Sequence, residues 1–429
     1  MVDVAPFRAL RFSPEKGNDI SKYICPPYDV ISPHEREELG KKFPQNVIHL
    51  ELPAGDGDAK YANAAHLLSE WRGDALLLED RKSSFYLLET TYKIDDPFAP
   101  KGQLKRYGVL TALRLEAPGR GHVHPHEKTL PKAKEDRLKL ITALRTNISP
   151  IFGLFFDDQK KWPAWIGKII KEKPLTVGKE HAALSHRMWK IHDPKVQGEL
   201  RRLLGSKELY IADGHHRYEV SWAYNEGRLK EDPNAKMTAG SRRVMAYICP
   251  MEEKGLLMLP THRLVKSNRS LDEWRTHLEQ AFEIRKAKDM NAILAALKPE
   301  GSRKIGWVTA NGHFLLSLRP DISLDRCLQH RPKALRELDV VLLHDLALGE
   351  ASDSHFLAEK EIVFTRDVKG IETLTKKDRA WVGFMLGSPG VGSLARVAGA
   401  GEVMPPKTTY FYPKVPTGFT LMPLDQSIE

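Results

Sequence analysis

The chain has 429 residues, with 66 lysines and arginines against 56 aspartates and glutamates, a formal net charge of +10. Forty-one per cent hydrophobic and 28% charged residues give an ordinary globular balance, with room for two or three domains and a large core. Three well-separated cysteines (Cys25, Cys249 and Cys327) exclude a disulfide framework and a zinc spacing; with no apolar leader and no long apolar run, the expectation is a cytoplasmic protein in a reducing compartment.

The first 35 residues read as loops with short strands. Within them Cys25-Pro26-Pro27-Tyr28-Asp29-Val30 is stiff, because each proline fixes its own φ and extends its predecessor. Such a segment either presents Tyr28 and Asp29 to a pocket or is a packed turn. Ser32-Pro33 reads as an N-cap and first helical residue. Asn46–Leu52 alternates like a strand, and Lys60–Trp71 is an amphipathic helix. Ser84–Lys93 and Gln103–Leu115 read as paired antiparallel strands with one buried face.

His122, His124 and His126 alternate, and a strand would put them on one face as a metal set; Pro125 argues against a regular strand there. His126, Glu127 and Thr129 are better candidates for chemistry. Histidine titrates near neutrality, and a partly buried glutamate can act as a base. The plainer alternative is a capped helix entry. Lys134–Leu144 is helical, and Pro150 ends the turn that follows, from which Arg145 and Asn147 can reach a ligand. Ile151–Phe156 is a buried strand, and residues 157–206 read as helices and a strand. The densest basic stretch, Lys160–Lys173, reads as a solvated helix, since a spaced apolar face interrupts its charges.

Leu209–Ala212 has strand character and runs into Asp213-Gly214, after which Tyr218, Trp222 and Ala223 recur at helical spacing. A strand turning through glycine into a helix leaves free N–H groups and the positive end of the helix dipole, which favour an anion. Arg217 adds a planar fork of donors suited to phosphate, and Asp213 is a hard oxygen ligand for magnesium. The plain reading is a turn followed by solvated side chains.

Further on, Arg243–Pro250 and Leu256–Val265 read as strands joined by a turn, with His262 and Arg263 either satisfied core groups or part of a site. Ser270–Glu273 is a capping box before a helix to Phe282. Residues 304–319 form a hairpin across Ala310-Asn311-Gly312. Lys333–Leu348 is a helix, and Ile362–Thr365 and Ala380–Leu386 are strands. The tail from Gly401 to Lys414 carries three aromatics and several prolines. It either packs over a pocket, with Lys407 and the Thr408 and Thr409 hydroxyls donating to an anion, or closes the last sheet as a strand.

The DGHHR turn after a strand resembles the phosphate-binding Gly-x-x-Arg turn of the ParB/sulfiredoxin superfamily, which includes nucleotide hydrolases, sulfiredoxin and a free-serine kinase. Over nearly the whole chain, APFRALRF, PPYDVIS, NVIHLELP, HEKT, KEDRL, NISPIFGLF, ADGHHRYE, LPTHRLV and PKTTYFYPK resemble domain-of-unknown-function family 1015 of bacteria and archaea. Asp136 and Arg137 fall where that family's motif places them.

The resulting expectation is an α+β (mixed α/β) protein with a ParB/sulfiredoxin-like core. Residues 1–120 form an N-terminal segment, 121–265 the core, and 266–429 a C-terminal segment. The superfamily resemblance implies an enzyme of phosphoryl transfer or phosphoester hydrolysis on an anionic, phosphorylated small molecule, linked to serine, phosphoserine or a nucleotide. His126, Glu127, Asp213 and His216 would act as base, acid or nucleophile. Gly214, His215, Arg217, Tyr28, Asp29, Arg145, Asn147, Lys407 and Thr408 would bind, and Asp213 or Glu127 would hold Mg²⁺ if one takes part. The alternative is a non-catalytic nucleotide- or nucleic-acid-binding regulator. The basic charge allows it, but Lys and Arg are interleaved with acids and no nucleic-acid motif is present. The enzymatic reading requires Arg217 near a cleft rather than locked in an ion pair remote from one.

Overall fold

The protein is described here from a computed structural model covering residues 2–127, 131–298, 300–349, 362–405 and 407–429. It is a mixed α/β protein built on two large sheets. The nine strands of the first are β1 (Val4–Ala5), β2 (Phe85–Tyr92), β3 (Leu104–Arg114), β4 (Val123–His124), β5 (Ile151–Phe155), β6 (Thr176–His181), β7 (Leu184–Ile191), β8 (Leu209–Asp213) and β9 (Arg243–Pro250). Their order is β4-β8-β5-β9-β3-β2-β7-β6, with β1 on β3. The β8–β4 and β9–β5 pairs are parallel and the rest antiparallel. The central strand β9 is buried at every position, as a strand covered on both faces must be.

The second sheet has six antiparallel strands. A short strand, β10 (Leu257–Leu259), precedes β11 (His262–Lys266), β12 (Phe282–Lys286), β13 (Lys304–Thr309), β14 (Gly312–Leu318), β15 (Ile362–Thr365) and β16 (Trp381–Met385), in the order β12-β14-β13-β16-β11-β15. The tail strand β17 (Tyr410–Tyr412) pairs with β10. Leu256–Val265 is therefore two strands in different sheets rather than one, broken at Pro260-Thr261.

The helices include α1 (Pro33–Lys42), α2 (Ile48–Glu51), α3 (Ala59–Gly73), α4 (Pro131–Leu144), α5 (Trp162–Ile169), α6 (Pro194–Gly205), α7 (His215–Glu231) and α8 (Leu271–Leu278). Capping boxes at Ser32/Glu35 and Ser270/Glu273 start α1 and α8. Asn46–Leu52 is not a strand. Asn46 Oδ1 accepts from the Ile48 N–H at 2.9 Å while its amide binds the Lys22 and Ile24 carbonyls, and this local capping starts α2. Lys333–Leu348 is broken into short turns that end in a π-helix over Leu342–Ala347. Among the described residues no helix is long and apolar enough to cross a membrane.

The tail is tied to the first sheet. Arg106, fully buried, has its guanidinium 4.8 Å from the Phe152 ring and 5.2 Å from that of Tyr247, and donates to the Pro413 carbonyl at 2.6 Å. Leu421 exchanges backbone bonds with Leu10, and Thr417 with Cys25. These bonds bring the tail over the end of β8, where α7 begins.

Candidate active site at the α7 N-terminus

Strand β8 ends at Asp213, and Gly214 turns the chain with φ 87° and ψ 29°. That left-handed conformation favours glycine. A β-carbon there would also lie 3.1 Å from the Arg217 guanidinium and from Ile151 Cα. No side chain caps α7, so its leading N–H groups keep their donor character towards the space in front of the turn.

Asp213 forms the floor of that space. Arg217 Nη2 donates to Oδ2 at 2.7 Å, and Lys414 Nζ to Oδ1. Burial opposes a charge on Asp213, but Lys414 and Arg217 outweigh it and draw its pKa down to about 2. The other Arg217 amino group donates to the Pro150 carbonyl, and Nε has no partner. The guanidinium expected to meet a phosphate therefore faces inward. Its ion pair is not remote from the cleft, because the same Asp213 binds Lys414 and is sensed by Asp29 and Glu127.

Above the floor, the backbone N–H of His126 donates to His215 Nε2 at 3.2 Å, which makes that nitrogen an acceptor. A neutral His215 ring then carries its proton on Nδ1, which lies 4.0 Å from Glu127 Oε2. His126 Nε2 is 3.0 Å from the Thr409 hydroxyl, and the two imidazoles meet edge to face at 4.6 Å. Burial lowers the His126 pKa to about 4 and pushes His215 well below the ordinary histidine value, so both are neutral at pH 7. His126 is clamped to the tail by Met404 N–H, which donates to its carbonyl at 2.8 Å.

The mouth behaves differently from the floor. Burial raises the Glu127 pKa and Asp213 adds to it, while Lys407 pulls the other way through its charge and a backbone hydrogen bond. Asp29 has solvent-exposed surface yet is surrounded by protein, as a group inside an open cleft is. Burial, then the charge of Asp213, raises its pKa. Tyr28 lies under the Arg137 guanidinium at 4.6 Å, and burial pushes its pKa up to about 12. His216 is half-buried, which lowers its pKa. Behind Arg217, a cavity of about 50 Å³ touches Tyr28, Glu51, Arg137 and Ser149; it has room for water rather than a metabolite.

Tyr28, Asp29, His126, Glu127, Asp213, Gly214, His215, His216, Arg217 and Lys407 thus converge from four distant stretches of chain. Three expected residues are engaged by other partners, although Asn147 lines the small cavity behind Arg217. Arg145 is exposed, with its carbonyl bound by Leu424 N–H. Asn147 is buried and accepts from Met245 N–H at 2.8 Å. Thr408 is buried and donates to the Pro405 carbonyl at 2.6 Å, so its neighbour Thr409 is the one that reaches His126. Thr129 lies outside the described residues. Lys414 and Tyr410 were not singled out, although both stand in the PKTTYFYPK motif; Lys414 Nζ lies 4.9 Å from the Tyr410 ring.

His262 is a buried core group whose Nδ1 accepts from Leu386 N–H at 3.2 Å. The alternating histidines do not share a face: His124 pairs with Glu208 at 2.6 Å, His122 lies 3.5 Å from Glu116, and His126 is buried in the site. Among the described residues no three His, Cys, Asp or Glu side chains are grouped to hold a metal.

The solved structures that resemble this chain include three of different description. One is a conserved hypothetical protein from Pyrococcus furiosus, 16% identical, covering 70% of this chain and 92% of that one with a TM-score of 0.33. Another is a free serine kinase in complex with AMP, at 14% identity, 72% and 87% coverage and a TM-score of 0.34. The third is SbnI with a C-terminal truncation, from Staphylococcus aureus, at 11%, 73%, 87% and 0.37. Superposition this loose carries no argument about chemistry. No protein of curated function matches. The model of the family described as "Protein of unknown function (DUF1015)" matches residues 4–341, and the chain belongs to that family.

Proposed function

We propose that the cleft at the α7 N-terminus binds an anionic, phosphorylated small molecule and catalyses transfer of its phosphoryl group to a hydroxyl or to water. The observation that carries this reading is the convergence of three stretches distant in sequence, which sets Glu127, a carboxylate of raised pKa, beside Lys407 and in front of an uncapped helix N-terminus.

Glu127 takes the proton from the attacking O–H as that oxygen bonds to phosphorus. The phosphorus–oxygen bond to the leaving group breaks with its electron pair, and His216 or solvent returns a proton. Lys407 and the leading α7 N–H groups hold the phosphate oxygens. His215 aims its Nδ1–H at Glu127 and so orients the base. Arg217 acts through Asp213, as the counter-charge that fixes the turn, rather than by touching phosphate.

The DGHHR turn is in this reading the ParB/sulfiredoxin-like phosphate turn, and the ligand is serine- or nucleotide-linked, in the cytoplasm. The division at residues 120 and 265 belongs to the same proposal, since each part supplies one wall. Of the two carboxylates that could hold magnesium, each Asp213 oxygen already binds a cation, which leaves Glu127 as the oxygen ligand open to one. No step is therefore routed through a metal held by Asp213.

The test is phosphorus NMR of the full chain with phosphoserine, with ATP plus serine, and with ATP alone. Turnover of one mixture, lowered about 10²–10⁴-fold by Glu127→Gln and weakened in KM by Lys407→Ala, supports the enzyme. Binding without turnover, with affinity falling steeply in salt, would instead establish the regulator that the charge of +10 allows.

A further inference from the structure

We infer that Arg263, in the second sheet, is a positioning residue for the cleft: it holds Lys407 in the backbone conformation that turns the Lys407 N–H towards the Glu127 carboxylate. This role deepens the proposed reaction and rests on Glu127 being its base.

Lys407 has φ 55°, the left-handed conformation that a side chain disfavours. A residue stays there only where its surroundings over-determine it, and such positions gather at functional sites. The surroundings of Lys407 do so from several directions. Its N–H donates to the Glu127 carboxylate. Its carbonyl accepts from Arg263 Nη2 at 3.3 Å. On either side, Met404 N–H donates to the His126 carbonyl at 2.8 Å and the Thr408 hydroxyl to the Pro405 carbonyl at 2.6 Å. The lysine side chain itself is left exposed at the mouth.

Arg263 stands outside the cleft. It is fully buried on β11, between Phe364 of β15 and Phe384 of β16, with its guanidinium 5.1 Å from the Phe364 ring. Its other amino group donates to the Thr261 carbonyl. A planar fork with fixed donor directions holds two carbonyls in one geometry, which a flexible ammonium does not. A buried cation is costly to leave unmatched, so the Lys407 carbonyl is not easily released. The second sheet thereby reaches the cleft through the backbone of one residue. Releasing that carbonyl lets Lys407 relax to negative φ, which swings its N–H away from Glu127. The carboxylate then loses a hydrogen bond to its charged form, and its pKa moves up. Lys407, Asp213, Lys414 and His215 also act on that carboxylate, and a substitution at Arg263 replaces none of them.

The test is the Glu127 titration midpoint, read by ¹³C NMR of the full chain labelled at glutamate, with the peak identified by its loss in Glu127→Gln. Arg263→Met is expected to raise the midpoint by about 0.5–1 pH unit. In Lys407→Gly, where glycine keeps the left-handed turn unaided, the same Arg263→Met change should add no shift. Any turnover found for a phosphate compound should lose its acid limb at correspondingly higher pH in Arg263→Met. An unmoved midpoint, or an equal shift in the Lys407→Gly background, overturns the inference. Should Arg263→Met not fold, Arg263→Gln, uncharged and too short to reach Lys407, is held to the same outcomes. No substrate enters the titration, so a chain without turnover would sink the enzymatic reading while the positioning of Lys407 is still decided.

Discussion

The floor and the mouth of the cleft hold carboxylates a few residues' reach apart, and the protein treats them oppositely. At the floor, Asp213 is enclosed but braced by two cations, and its pKa falls to about 2. At the mouth, Glu127 and Asp29 sit among protein atoms with weaker compensation, and their pKa values rise. Burial acts in the same direction on all three. The difference lies in whether a cation is bonded or merely near. A bonded carboxylate is scaffold, whereas one held above its ordinary pKa is available to take a proton.

Breaking the floor has the largest expected effect. Asp213→Ala leaves Lys414 and Arg217 buried without their partner, and removing one member of a buried ion pair costs about 3–5 kcal/mol. Urea unfolding followed by circular dichroism at pH 7 measures it; a loss under about 1 kcal/mol would make the floor no more structural than the mouth.

Acid should act next. His126 is buried neutral with a pKa near 4, whereas unfolding restores the ordinary value near 6.5. The native state then binds fewer protons than the unfolded chain between those limits, so stability is full above them and declines as pH falls through that window. For His126 alone the total is on the order of 3 kcal/mol. Stability measured from pH 7 to pH 4 should slope less in His126→Asn, and an unchanged slope would mean the imidazole is not held neutral.

The smallest change in stability belongs to the mouth. Because the Glu127 pKa is raised in the fold, its charge opposes folding as pH rises above the ordinary glutamate range. Glu127→Gln should therefore leave stability at pH 7 unchanged or raised by about 0.5 kcal/mol, even while it removes the proposed base. Marked destabilisation by thermal unfolding would place Glu127 with the floor.

Local order was well written in the sequence. The strand–glycine–helix unit around Asp213-Gly214, the Ser32 N-cap, the Ser270–Glu273 capping box and the Asn311-Gly312 hairpin follow from short-range rules, because each is decided within a few residues. The misreadings share a cause. Asn46–Leu52 alternates like a strand, but the Asn46 side chain captures nearby backbone and winds it. Leu256–Val265 is apolar at both ends and reads as one strand, yet its halves find partners about a hundred residues or more downstream. In the candidate site, residue types were legible and their orientation was not. Nothing local says that Arg217 turns towards Pro150 and Asp213, that Thr409 rather than Thr408 meets His126, or that Lys414 completes the floor.

The clasp between the tail and the first sheet has one more consequence, in the order of events during synthesis. The family match stops at residue 341, but Thr409 and Lys414 close the cleft from beyond it. A nascent chain can lay down the nine-stranded sheet while Asp213 still has only Arg217 for company. The pocket becomes whole only when the strand after Lys407 has left the ribosome and threaded back, so the cleft cannot be assembled before those residues are made.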